Sequence, residues 1–242
     1  MLHLPVTMTG SIRLFVHAPL TAGVEIEATA AQAHYLGNVM RRVPGDPVAL
    51  FNGSDGEWQA TIAALRRESA RFAVTMQRRA QAAEPDLWLV FAPLKRGATD
   101  LVVQKATELG ASALLPVQTE RTNTNRINRV RLQAIAMEAA EQSERLTVPH
   151  IEVLRPLLEL LGGWPVGRTL FAAMEREPVP RLRPTGEPAA LLVGPEGGFS
   201  PAELDALRRH PLVVAASLGP RVLRAETAAL AGLVLLQAET GR

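Results

Sequence analysis

Leu191-Leu192-Val193-Gly194-Pro195-Glu196-Gly197-Gly198-Phe199-Ser200 and, further on, Ser217-Leu218-Gly219-Pro220-Arg221-Val222-Leu223-Arg224-Ala225-Glu226-Thr227 are the stretches that decide the fold. Each follows a short apolar run, Ala189 to Val193 in the first case and Val213 to Ala216 in the second. Runs of that length, bounded by glycine and proline, predict buried strands. Each loop then enters a helical pattern. Ser200-Pro201-Ala202-Glu203 has the spacing of a capping box with proline at the first helical position, and from Ala225 to Leu236 the chain is apolar with few polar breaks. In open α/β sheets, ligands bind beyond the carboxyl ends of the strands. Gly194, Gly197 and Gly198 allow positive φ and a close approach of a ligand to the backbone. Turn formation alone would explain one Gly-Pro loop; two of them, each carrying charge, point to a site. The sequence has no G-x-G-x-x-G, no G-x-x-x-x-G-K-[ST] and no G-x-S-x-G, which argues against a dinucleotide fold, a phosphate-cradling loop and a serine hydrolase. By elimination the loops suit a small adenosine-like or amino-acid-bearing ligand.

Outward from these loops, the chain before them changes character once. From Ser11 to about Arg79 it consists of short strand patterns with turns: Ile12 to Val16, Val24 to Ala28, Pro47 to Phe51, Trp58 to Leu65 and Phe72 to Met76. Asn52-Gly53 and Asp55-Gly56 are hairpin signals, and Ala30 to Arg42 has helical spacing. Several short strands and one helix predict a small β-barrel; residues 1–10 have the look of a disordered leader. Gln81-Ala82-Ala83-Glu84-Pro85 is the expected linker, placing the boundary between domains 1–81 and 82–242. Beyond it strands (Leu87 to Pro93, Ala113 to Val117, Thr169 to Met174) alternate with helices (Thr99 to Leu109, Ile127 to about Ser143), and Pro178 to Pro188 forms a loop. That alternation predicts an α/β domain built on a mostly parallel sheet.

Composition bounds the function. The chain has 242 residues, 47% hydrophobic and 21% charged, with no cysteine. These values fit a soluble globular protein without disulfides or thiolate metal sites, in a reducing compartment. The five histidines are scattered without ligand spacing, so no metal is expected. No apolar run reaches about 18 residues, so neither membrane spanning nor secretion is expected, and the cytoplasm is the default location. The net charge is only +2, but arginine supplies 24 of the 26 basic residues. Residues 1–81 hold eight arginines against six acids, including the doublets Arg41-Arg42, Arg66-Arg67 and Arg78-Arg79. A genome rich in G and C would raise arginine for no functional reason, yet arginine also suits RNA phosphates and bases. Three further clusters could meet a polyanion: Lys95-Arg96 just past a strand end, the acid-free stretch Arg121 to Arg131, and Glu141, Gln142 and Arg145 closing a helix. Solvated loops and helix ends are the alternative reading of each.

Gly194-Pro195-Glu196-Gly197-Gly198-Phe199-Ser200, together with Leu218 to Ala228, closely resembles the RsmE family, ribosomal RNA uracil-N3 methyltransferases of the SPOUT class. The resemblance extends to Gln104 to Gly110, Thr119-Glu120-Arg121, Glu141-Gln142-Ser143, Gly45-Asp46 and Phe51-Asn52-Gly53, so it covers nearly the whole chain. It implies a SPOUT-type knotted sheet flanked by helices behind a PUA-like RNA-binding barrel, and a homodimer. S-adenosyl-L-methionine is the implied cofactor. Its implied pocket is Gly194, Pro195, Glu196, Gly197, Gly198, Leu218, Gly219, Leu223, Arg224 and Ala225. The implied partner is small-subunit ribosomal RNA or the small ribosomal subunit, with Lys95, Arg96, Arg121, Glu141, Gln142 and Arg145 as substrate-binding candidates. Uracil N3 carries a proton, so the reaction needs a base or cations that stabilise the anion, and the base must be unpaired to expose N3. Arg224 and Glu226 are the catalytic candidates, with Glu196 a second carboxylate nearby. The same features would also suit a SPOUT methyltransferase acting on another RNA or on a 2′-OH, or a non-catalytic ribosome-assembly factor.

Overall fold

The computed structural model describes residues 12–174, 177–185 and 188–238; the expected leader over residues 1–10 lies outside them. The chain forms two compact units. One runs as far as Ala83 and takes back Glu141–Thr147; the other holds Glu84–Ala140 and the chain from Val148 onward. The return of Glu141–Thr147 to the first unit differs from a single cut, for a reason that lies in one side chain. Arg13 donates to the carbonyls of Glu141 (2.8 Å) and Arg145 (2.7 Å), and Phe15 N–H donates to the Glu141 carboxylate (2.9 Å). No local pattern announces bonds across so many residues.

In the first unit the elements are β1 (Ile12–Phe15), β2 (Glu25–Glu27), α1 (Ala30–His34), β3 (Pro47–Phe51), β4 (Glu57–Leu65) and β5 (Ala70–Arg79). They form a five-stranded sheet in the order β1-β3-β4-β5-β2, antiparallel except for β1 with β3. All five strands send side chains into one core, among them Leu14, Ile26, Leu50, Ile62 and Phe72. Thr29 and Gln32 cap α1 reciprocally, but the helix expected as far as Arg42 does not run that far. After one turn it widens into a π turn over Tyr35–Val39, and Arg41, with φ of 52°, ends it.

The second unit contains β6 (Leu87–Phe91), α2 (Arg96–Glu108), β7 (Ala113–Gln118), α3 (Arg129–Gln142, whose last two residues lie in the first unit), β8 (His150–Ile151), β9 (Arg155–Pro156), α4 (Leu157–Gly162), β10 (Thr169–Ala173), β11 (Ala189–Val193), α5 (Pro201–Arg209), β12 (Val213–Ala216) and α6 (Ala225–Gln237). The sheet order is β12-β10-β11-β6-β7-β8, with β9 also on β7, and every pairing is parallel. Helices cover both faces, as a parallel sheet requires. Leu89, Phe91, Leu191 and Val193 point to the side of α2, α3 and α6. Val90, Ala190 and Leu192 point to the side of α4 and α5. Chain direction along the sheet reverses between β6 and β11, and α6 returns from the β12 edge to pack on α2, β11 and β6. That return is the crossing expected of a knotted sheet. Helix α4 and the two-residue strands β8 and β9 escape the sequence patterns because they are too short to show a period. Part of the expected Pro178 to Pro188 loop also lies beside the sheet: Ser217 N–H donates to the Pro180 carbonyl and Leu182 N–H to the Ser217 carbonyl, both at 2.8 Å. Among the described residues no helix is long and apolar enough to cross a membrane.

Candidate active site

The two loops singled out in the sequence leave the carboxyl ends of β11 and β12. With the end of β10 they enclose a cavity of ≈ 420 Å³, within the usual range of small-ligand sites. Its walls are Ala173 at the end of β10 with Met174 and Glu177 after it, Val193 at the end of β11 with Gly194 to Phe199 of the first loop, and Val222 to Arg224 of the second loop with Ala225 and Ala228 of α6.

The first loop is built tightly. Gly198 N–H closes a turn on the Pro195 carbonyl (2.8 Å), and Gly198 has φ of +69°, a conformation that glycine takes without strain. A Cβ there would meet no protein atom within 4 Å, so the restriction at this position is conformational and the space beside the backbone is open. Gly194 is different: its Cβ would lie 2.9 Å from the Phe199 ring, which folds back beneath it. Ser200 and Glu203 form the expected capping box at the start of α5. The Glu203 carboxylate does more than cap. One oxygen accepts from Ser200 N–H (2.8 Å) and the other from Glu120 N–H (2.8 Å). The next residue, Arg121, lies along the first loop and donates to the Gly197 carbonyl (2.8 Å).

In the second loop Gly219 N–H donates to the Ser217 hydroxyl (3.2 Å), and Gly219 has φ of +142°. Leu223, Arg224 and Ala225 line the cavity. Leu218 is buried in the core beneath the sheet and neither it nor Gly219 reaches the cavity wall. Arg224 is exposed and occupies the N-cap position of α6 without making a side-chain cap. Glu226 is half-buried in the first turn of α6 and is not on the cavity; there its charge suits the helix N-terminus.

Of the substrate-binding candidates, Arg121 alone lines the cavity. Lys95 and Arg96 are exposed at the start of α2, beyond the carboxyl end of β6. Glu141 and Arg145 belong to the first unit, where Glu141 binds β1 as described and the buried Arg145 donates to the Thr147 hydroxyl (3.0 Å). Gln142 is exposed beside them. Met174 and Glu177 were not anticipated. Applying the strand-end rule to Thr169 to Met174 would have found Met174. The Glu177 carboxylate is ion-paired with Arg208 of α5, an interaction only the fold creates. Among the described residues no three histidine or acidic side chains converge as a metal site would require.

Residues 82–237 match the model of the RNA methyltransferase domain family, and residues 28–75 match that of the RNA methyltransferase PUA domain. The chain is 31% identical to the ribosomal RNA small subunit methyltransferase E of Rickettsia conorii, over 91% of this chain and 93% of that one. It is 28% identical to its counterpart in Bacillus subtilis, over 88% and 89%. Among solved structures it resembles the ribosomal RNA small subunit methyltransferase E of Neisseria gonorrhoeae bound to S-adenosyl methionine, with a TM-score of 0.84 and 27% identity over 93% of this chain and 96% of that one. A methyltransferase of Legionella pneumophila in complex with the same cofactor gives 0.80 and 26%, over 93% and 96%. The likeness thus runs along nearly the full length of these proteins, and the chain belongs to the ribosomal RNA small subunit methyltransferase E family of RNA methyltransferases.

Proposed function

We propose that the chain methylates N3 of a uridine in small-subunit ribosomal RNA, with S-adenosyl-L-methionine as methyl donor. The observation that carries this is the cavity between the two glycine loops, with Arg121 and Arg224 on its wall. The cavity fits the cofactor by size and by its glycine-lined backbone, open beside Gly198. Gly194, Pro195, Gly197, Gly198, Leu223 and Ala225 would hold the cofactor. Bound there, it supplies an electrophilic methyl group on a sulfonium.

The chain's own residues do the rest. The loops fix the reacting groups, which must lie about 3–3.5 Å apart and in line. Arg224 presents its guanidinium to the uracil oxygens and stabilises the charge that develops as the N3 proton leaves. Arg121, held on Gly197, adds a second cation at the same wall. Glu196, exposed on the cavity, is better placed than Glu226 to receive the proton.

The same reading includes a homodimer. Helix α6 buries Ala225, Ala228, Ala229, Gly232, Leu233 and Leu236, but Val234 is 50% exposed, with Leu230 and Ala231 only partly covered on the same outward face. Leu101 of α2, which packs beside α6, is 38% exposed. A second copy would cover this stripe. Light scattering at micromolar concentration should give twice the chain mass; a monomer would sink the dimer without touching the chemistry.

To test the activity, small ribosomal subunits lacking the modification are incubated with protein and cofactor, and the digested RNA is analysed by mass spectrometry. 3-Methyluridine formed by the wild type and lost in Arg224→Ala is expected. A different methylated nucleoside would keep the fold and cofactor and reject the N3 assignment.

A further inference from the structure

Methyl transfer itself has no use for one charged group on the cavity wall, the Glu177 carboxylate. Strands β10 and β11 are parallel neighbours, paired from Thr169 with Ala189 to Ala172 with Leu192. Glu177 follows β10, so it stands beyond the strand end next to the one that carries the first glycine loop, and it lines the same cavity. Its backbone is tied, the Glu177 carbonyl accepting from Val179 N–H (2.8 Å). Its side chain is 24% exposed and is held from α5, where Arg208 donates to Oε1. Arg208 also meets the Asp205 carboxylate on its own helix at 3.5 Å. Leu204, one turn before Arg208, lines the cavity too. Among the described residues Oε2 of Glu177 has no hydrogen-bond partner.

An ion pair this close to solvent adds little stability by itself, and a tether between a strand end and a helix has no need to border a cavity. A carboxylate is an acceptor only, with about four lone-pair sites. Arg208 takes one of them at Oε1, which leaves Oε2 for a ligand. The pairing also selects the donor. An ammonium would meet the Arg208 cation close by, whereas a neutral hydroxyl gains a charge-assisted hydrogen bond without that repulsion. The cofactor's ribose carries two such hydroxyls. In dinucleotide folds a glycine loop at a strand end is likewise joined by an acid that accepts from a ribose hydroxyl. Here the acid precedes the glycine loop in the chain, which is why no fingerprint spacing marks it.

We propose that Glu177 binds the ribose of S-adenosyl-L-methionine, its carboxylate accepting from the sugar hydroxyls. This inference rests on the cofactor occupying the cavity between the glycine loops, and is independent of which nucleotide is methylated.

The test is calorimetric titration of S-adenosylhomocysteine, its 2′-deoxy and 3′-deoxy analogues, and 5′-methylthioadenosine into full-length wild type, Glu177→Ala, Glu177→Gln and Arg208→Ala. The wild type should bind at least one deoxy analogue about tenfold more weakly than the parent, the loss of one hydrogen bond to a charged acceptor. Glu177→Ala should bind the parent about tenfold more weakly and no longer distinguish it from that analogue, as a direct contact requires in a double-mutant cycle. Glu177→Gln keeps the size and one acceptor oxygen and should fall between the two. Arg208→Ala breaks the ion pair but leaves the carboxylate, so it should still distinguish the analogues. The loss in Glu177→Ala should persist with 5′-methylthioadenosine, which has the ribose but no amino-acid end. Discrimination retained in full by Glu177→Ala would overturn the proposal and leave the ion pair as a tether of β10 to α5. A loss seen with S-adenosylhomocysteine but absent with 5′-methylthioadenosine would also overturn it, by placing Glu177 at the amino-acid end. A wild type that binds neither S-adenosylhomocysteine nor S-adenosylmethionine would reject the cofactor site itself, and this inference with it; the wild-type titration alone tells that case from the others.

Discussion

Glu203 shows what one side chain can do at this site. It begins as an ordinary helix cap, but its second oxygen holds Glu120 N–H across 83 positions of sequence, and so sets the loop from which Arg121 reaches Gly197. Glutamine has the same size but only one acceptor oxygen, so Glu203→Gln must leave either Ser200 N–H or Glu120 N–H facing an amide donor. A buried donor left without an acceptor costs about 1–3 kcal/mol. Here the loop can relieve that cost by moving, which displaces Arg121. Methyl transfer should fall roughly tenfold in kcat/KM, about 1.4 kcal/mol of transition-state stabilisation, with the far-UV circular dichroism unchanged. Wild-type kcat/KM in this variant would remove Glu203 from the positioning of the site.

At the scale of elements, the packing of α6 on β11 sets the floor under the first loop. Gly232 is buried against Leu191, and a Cβ at 232 would lie 2.4 Å from the Leu191 Cδ2. Alanine in place of glycine inside a helix ordinarily gains about 1 kcal/mol. Overpacking so close an approach costs about 1–3 kcal/mol, and Leu191 has nowhere to go, since it is fully buried on a strand paired on both sides. The clash should win, and Gly232→Ala should lower the melting temperature by a few degrees, at about 2–4 °C per kcal/mol for a chain of this size. An unchanged or higher melting temperature would mean that α6 can lift off the sheet freely.

Across the whole molecule, each unit holds a carboxylate tied to arginine. Burial pushes Glu57 up, but hydrogen bonds from Arg79 and Arg13 outweigh it and hold the group below its ordinary 4.5. Asp86 likewise is raised by burial and lowered further by Arg168, ending below its ordinary 3.8. A carboxylate whose folded pKa is depressed contributes stability in full above its unfolded value, and loses it as the pH falls through the folded one. Stability should therefore be flat from neutrality to about pH 5 and decline below about pH 4.5. Urea titrations at stepped pH would show this. Glu57→Gln should be less stable at neutral pH, because it removes the charge that the half-buried Arg13 pairs with, and should show a shallower loss in acid. An acid decline as steep as that of the wild type would assign the effect to other groups.

What the sequence determined by itself is the part written in local chemistry. Alternating strands and helices, Gly-Pro at strand ends and the Ser200–Glu203 cap specify a parallel α/β unit and both loops, because turns, caps and periodicities involve neighbours a few residues apart. The wall residues from Gly194 to Gly198 and from Leu223 to Ala225 lie in those loops; the glycines and the family resemblance, not periodicity, singled them out. Only the tertiary structure decided the rest. Leu218 could be core or cavity until the sheet was assembled. Glu226 lies outside the cavity because the helical turn carries it round from Ala225, which lines it. Met174 and Glu177 join the site because β10 is inserted between β11 and β12. Glu141–Thr147 belongs to the first unit because Arg13 holds its carbonyls. In each of these cases the deciding interaction joins residues far apart in the chain, and strand order and side-chain reach set it where local propensity is silent.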